Sequence, residues 1–134
     1  MIEKTLSIIK PDAVERELGD SIKKIFLNNG LNISKSKKVK ITKQEASEFY
    51  KVHETKPFYE ELCAYLSSGP IIVMILEGEN AILKNREIMG ATNPKDAAEG
   101  TIRKLYGISI DKNSVHGSDS LDNATKEINF FFKN

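Results

Sequence analysis

The run Ile71-Ile72-Val73-Met74-Ile75-Leu76, closed by Glu77, limits the fold more than any other segment. It shows no polar alternation, so as a strand it has no face to give to water and must be covered on both sides. It is far too short to span a bilayer. Ser67-Ser68-Gly69-Pro70 breaks whatever precedes it. A chain built around such a strand is a layered domain with helices on the sheet.

The flanking periodicities supply those layers. Thr5 to Lys10 alternates, with Leu6 and Ile8 on one face, and ends at Pro11, which suits a strand closing into a loop. Leu18, Ile22, Ile25, Phe26 and Asn29 recur at helical spacing before the stop signal Asn29-Gly30. Leu31, Ile33, Val39 and Ile41 mark a second extended segment whose lysines, 35, 37, 38 and 40, suit a guarded sheet edge. Thr42 and Glu45 match a capping box opening a helix that turns Ala46, Phe49 and Tyr50 inward. A further helix is expected to open at Pro57 and pack Phe58, Leu62, Tyr65 and Leu66. Asn80 is placed to cap a helix reaching Met89, and residues 90–100 lose all pattern. A short helix from Thr101, an extended piece from Ile108 to His116, and a C-terminal helix carrying Leu121, Ala124, Ile128 and Phe131 complete the chain.

This order predicts an α+β fold, a ferredoxin-like split βαβ sandwich with a four-stranded antiparallel sheet covered by helices. The 134 residues form one domain, 1–134, long enough to bury about two-thirds of the unfolded surface. Twenty basic against 19 acidic residues leave a net charge of +1, which argues against extended polyanion binding. A single cysteine, Cys63, excludes an internal disulfide and reads as a small buried hydrophobe, and two histidines cannot complete a four-ligand Cys/His zinc site. With no secretory h-region recognisable in MIEKTLSIIKPDAVERE, a soluble cytoplasmic protein is expected.

The chemistry concentrates at Asn113 to Ser120, NSVHGSDS, where His116 stands between an extended segment and a helix start. Imidazole is largely unprotonated at neutral pH and can attack phosphorus. Such a reaction needs cations around the transferring oxygens. Lys10, before a proline at a strand end, and Arg86 and Arg103, flanking the irregular segment, have the right chemistry. No glycine precedes a lysine and no GxGxxG occurs, so the common phosphate loops are excluded. A nucleic-acid-binding module of the same architecture would show an aromatic run on its sheet, which this chain lacks.

Six blocks carry a resemblance over nearly the whole chain: IIKPDAV at 8–14, HETKPFYEEL at 53–62, SGPIIVMILEG at 68–78, NREIMGATNP at 85–94, GTIR at 100–103 and NSVHGSDS at 113–120. In this order they resemble the nucleoside diphosphate kinase family. The resemblance implies ping-pong transfer of a terminal phosphoryl group, mainly from ATP, to nucleoside diphosphates through a phosphohistidine on His116. It implies that Lys10 contacts phosphate and assists the transition state, and that Arg86, Thr92 and Arg103 bind phosphate. It makes Phe58 the base-stacking residue and Asn113 a hydrogen-bonding partner of the ribose and phosphate region. Tyr50, Leu62 and Ile110 become supporting pocket positions, and Ser118 and Glu127 the pair that supports the histidine. Mg²⁺ is expected on the nucleotide phosphates without a protein cage. A homo-oligomer, tetramer or hexamer built from dimers, is implied, with no membrane association and no obligate nucleic acid. His53 is given no role. The chain departs from the family pattern at Lys104-Leu105-Tyr106, which lacks the usual acidic neighbour of Arg103, and at Glu17, which replaces a frequent glycine.

Overall fold

A computed structural model describes residues 2–109 and 114–132. The chain runs β1 (Ile2–Ile9), α1 (Pro11–Glu15), α2 (Gly19–Asn28), β2 (Asn32–Val39), α3 (Lys43–Phe49), α4 (Tyr59–Leu66), β3 (Ile71–Glu79), α5 (Ala81–Met89), α6 (Ile102–Tyr106), β4 (Val115–Gly117) and α7 (Leu121–Phe131). Short 3-10 turns cover Lys51–His53 and Pro94–Asp96. The sheet order is β2-β3-β1-β4 and every neighbouring pair is antiparallel. This is the ferredoxin-like arrangement expected from the element order.

The apolar run of β3 sits between β2 and β1, and its residues alternate between two cores. Met74 and Leu76 join Ile9, Ile22, Phe26, Ile88, Met89, Ile102 and Val115 under α2, α5 and α6. Ile71 and Val73 join Leu6, Ile8, Ala46, Tyr50, Cys63, Leu66 and Phe131 under α3, α4 and α7. Each fully buried Ile or Leu contributes about 1.5–3 kcal/mol by leaving water, so both helical layers are held by the same two central strands. β2 is an outer strand, and Lys35, Lys37 and Lys38 are exposed on it, as expected of an edge that must resist further pairing.

Local signals act largely as read. Thr42 and Glu45 exchange both bonds of the capping box, at 3.1 and 3.0 Å. Gly30 takes φ 85° after α2, where the Asn29 side chain also donates to the Ile25 carbonyl at 2.8 Å.

Several expectations are corrected. The loop after β1 contains α1, opened by Pro11 at a position where its missing N–H costs nothing. The helix expected at Pro57 begins at Tyr59, and Phe58, expected inside, is 43% exposed. Asn80 caps α5 without any side-chain bond; its use is a left-handed backbone, φ 49°, that turns the chain out of β3. Of the extended piece expected from Ile108 to His116, residues 110–113 lie outside the described residues; β4 covers Val115–Gly117, and Ile108 is exposed and outside any strand. Leu121 begins α7 but is 59% exposed, so α7 is anchored by Ala124 and Phe131. Glu17, in place of the frequent glycine, has φ 59°, the conformation glycine adopts most easily.

Candidate active site

Among the described residues β4 is the other outer strand of the sheet, and a cleft of about 1020 Å³ is lined by its His116 and Gly117 together with residues of both helical layers. Tyr50 and Glu127 reach it from one layer, and Arg86 and Arg103 from the other. Thr92 comes from the irregular segment and His116 from β4 itself. Six of the expected site residues therefore share one cavity. Asn113 and Ile110 lie outside the described residues.

His116 is fixed in backbone and side chain. Its backbone is paired with Ile8 of β1, so its ring falls on the α3/α7 side. The ring meets the edge of Phe49 at 5.4 Å between centroids and that of Tyr50 at 6.4 Å. Its Nε2 lies 2.9 Å from Oε1 of Glu127, which also accepts the Ser118 hydroxyl at 2.9 Å. Ser118 is fully buried, with its backbone N–H on the Leu6 carbonyl at 3.2 Å. One carboxylate oxygen thus ties the imidazole to α7 and to the end of β4. Gly117 is required beside it: a Cβ there would fall 2.3 Å from Nδ2 of Asn85. Burial, and next the charge of Glu127, hold the Tyr50 phenol well above its ordinary range, so it stays a neutral donor.

The cations differ in burial. Arg86 is exposed. Arg103 is 9% exposed and donates to the carbonyls of Gly90 and Val115, each at 3.0 Å, while its Nε is buried without a partner. Burial, and then the neighbouring Arg86, lower its pKa to about 10, which leaves it charged at neutral pH. Asp119 also lines the cleft, and the Asn123 amide donating to it at 2.6 Å is the main reason that its pKa is lowered.

Lys10, Phe58, Leu62 and Ser118 do not line the cleft. Lys10 is buried between β1 and α1, its N–H on the Ser114 carbonyl at 2.8 Å, so its backbone is joined to the chain two residues before His116. Leu62 packs against the core under α4. The Phe58 ring lies 5.9 Å from that of His53, which does line the cleft, so Phe58 stands one ring outside it. His53 and Phe49 also line the cleft, and the sequence does not mark them as site residues: their signals, a lone histidine and a helix-periodic aromatic, are shared by ordinary core positions.

Comparison with known proteins accounts for this geometry. The family model for nucleoside diphosphate kinase matches residues 3–134. The chain belongs to the nucleoside diphosphate kinase family. It is 58% identical over 131 residues to the nucleoside diphosphate kinase of Campylobacter curvus, covering 98% of this chain and 96% of that one. To the Agrobacterium fabrum enzyme of the same name it is 59% identical over 131 residues, covering 98% and 94%. The solved structure of the Aquifex aeolicus nucleoside diphosphate kinase superposes with a TM-score of 0.98 at 41% identity, covering 100% of this chain and 97% of that one. The chain is therefore a phosphotransferase acting between nucleoside tri- and diphosphates through a phosphohistidine.

Proposed function

We propose that His116 is the nucleophile and that Nδ1 is its reacting nitrogen. The observation that carries this is the 2.9 Å contact of Nε2 with Glu127, which commits that nitrogen as the N–H donor and leaves the Nδ1 lone pair for phosphorus. Nδ1 attacks the terminal phosphorus of a nucleoside triphosphate, the bond to the bridging oxygen breaks, and the diphosphate leaves with the electron pair. A terminal oxygen of a second nucleoside diphosphate then attacks the same phosphorus and returns the ring to its neutral form. Glu127 stabilises the positive charge the ring carries in between, and Ser118 keeps the carboxylate in place.

Arg86, Thr92 and Arg103 hold the charged oxygens, Arg103 with its guanidinium pre-set by two carbonyls. Lys10 offsets charge on the transferring group, and Phe58, exposed beside the cleft, stacks on the base. Asn113 is assigned to the ribose and phosphate region, with Tyr50, Leu62 and Ile110 supporting the pocket. Among the described residues no group of three or more His, Cys, Asp or Glu could hold a metal. The Mg²⁺ of such a reaction would be carried by the nucleotide phosphates and water, where it would neutralise phosphate charge. No described helix is long and apolar enough to cross a membrane. We place the enzyme in the cytoplasm as a homo-oligomer of dimers, tetramer or hexamer, which light scattering after size exclusion distinguishes.

The test is incubation with terminally labelled ATP. An acid-labile, base-stable phosphoenzyme that ³¹P NMR assigns to Nδ1, absent from His116→Ala, is expected. Exchange at the normal rate in His116→Ala, or phosphate on Nε2, would overturn the assignment.

A further inference from the structure

Behind Lys10, and outside the cleft, the side chains of Asp12, Arg16 and Ser114 close a ring of hydrogen bonds, to which Tyr65 is tied through Asp12, between elements distant in sequence. Arg16, at the end of α1, donates through Nε to the Asp12 carbonyl at 3.1 Å. Its Nη2 reaches the Tyr106 carbonyl at 2.5 Å, the Asp12 carboxylate at 3.4 Å and the Ser114 hydroxyl at 3.5 Å. Ser114 is fully buried, with φ 75°, and its hydroxyl donates to the same Asp12 oxygen at 3.3 Å. The other Asp12 oxygen accepts the Tyr65 phenol of α4, whose own oxygen accepts the Asp12 N–H at 2.9 Å.

The consequence lies in what Ser114 adjoins. A left-handed backbone at a non-glycine residue persists only where its surroundings over-determine it, and here the Lys10 N–H holds the Ser114 carbonyl while Asp12 and Arg16 hold its hydroxyl. The Ser114 carbonyl takes the Lys10 N–H, and the next residues, Val115 and His116, pair with Ile9 and Ile8. The clamp therefore stands where the strand bearing Lys10 at its end and the strand bearing His116 are joined. We propose that Asp12 and Arg16 are positioning residues for phosphoryl transfer, fixing the separation of Lys10 and His116 by holding Ser114. This rests on the roles given above for Lys10 and His116.

The test is phosphoenzyme formation at saturating labelled ATP, followed by rapid quench in the wild type, Arg16→Ala, Arg16→Lys and Ser114→Ala. Misplacement of a catalytic group by about 1 Å costs up to about 100-fold, so Arg16→Ala is expected to lose at least about ten-fold in this rate. Its KM should stay within about two-fold, because the clamp touches no nucleotide. Millimolar guanidinium should restore part of the Arg16→Ala rate, and Arg16→Lys should recover little, since an ammonium lacks the planar fork that spans these acceptors. Ser114→Ala keeps the backbone strain and removes one link, so it loses a smaller factor in the same rate; it also serves if Arg16→Ala does not fold. Wild-type rates in the variants overturn the proposal. So does a loss confined to KM, or one that matches the unfolded fraction and is not restored by guanidinium. A wild type that forms no His116-dependent phosphoenzyme would instead refute the underlying assignment.

Discussion

Replacing Glu127 by Gln keeps the side chain's shape and removes its charge, separating the two effects of the carboxylate on His116. A Gln oxygen in the place of Oε1 still accepts from Nε2 and from the Ser118 hydroxyl, so the ring stays oriented. What is lost is the attraction for the positive charge that the ring acquires with the phosphoryl group. At the 2.9 Å of this pair, Coulomb's law gives about 1.4 kcal/mol at the dielectric of water and about 6 kcal/mol at an effective constant of 20. The two side chains are 22% and 19% exposed, so water screens part of this, and the amide dipole recovers a further part. A loss on the order of 2 kcal/mol remains, equivalent to about 30-fold in the rate of phosphoenzyme formation. Rapid-quench measurement at saturating labelled ATP reads that rate, with the melting temperature as a control for folding. A folded Glu127→Gln enzyme within two-fold of the wild type would refute the electrostatic role and leave the carboxylate an orienting group only.

Gly90 has φ 87°, and a Cβ there would fall 2.6 Å from the Thr101 hydroxyl oxygen that caps α6. Gly90→Ala should therefore lose about 2–4 kcal/mol in urea unfolding, from backbone strain and overpacking together, and a loss under 0.5 kcal/mol would contradict this. Tyr65→Phe leaves one oxygen of the buried Asp12 carboxylate without its phenol donor and the Asp12 N–H without an acceptor, while Arg16 and Ser114 still serve the other oxygen, at a cost of about 1–3 kcal/mol; an unchanged melting temperature would count against that network. Burial, and then Lys56, hold His53 below the ordinary imidazole range, so the folded state takes up its proton less readily than the unfolded chain. Its contribution is complete above the unfolded value of about 6.5 and is lost as the pH falls through the lower folded value. His53→Gln should flatten the fall in stability as the pH drops below about 6.5, and an identical slope in both proteins would refute this reading.

The parts of the fold legible in the sequence are those set by one strong local cause. The run at 71–76 has no polar face, and the capping pair Thr42 and Glu45 satisfies two backbone donors without help from elsewhere. The misread parts depend on partners that sequence does not place. Asn80 is a good side-chain cap in isolation, yet the tight exit from β3 calls on its tolerance of a left-handed backbone instead. Phe58 carries an aromatic ring that composition assigns to a core, but α4 begins one residue after it and leaves the ring beside the cleft. Strand β4 is short because pairing with β1 extends only from Ile9 back to Ser7, a limit that periodicity does not show.

Arg103 shows how the site escapes a reading by residue type. As a cation in a chain of net charge +1 it is an ordinary surface group, but the fold buries it and spends two of its donors on the Gly90 and Val115 carbonyls. Those contacts orient the guanidinium before any ligand arrives, so less side-chain freedom is lost when an anion binds. Burial disfavours the charge, yet a pKa of about 10 keeps it in place at neutral pH. The Nε, buried without a partner, and the nearby Arg86 leave this position under-compensated for positive charge, a condition that a phosphate relieves. On the role proposed for Arg103, a nearly neutral protein can in this way meet a highly charged substrate, because the guanidinium is already oriented and no excess of positive charge over the whole chain is needed.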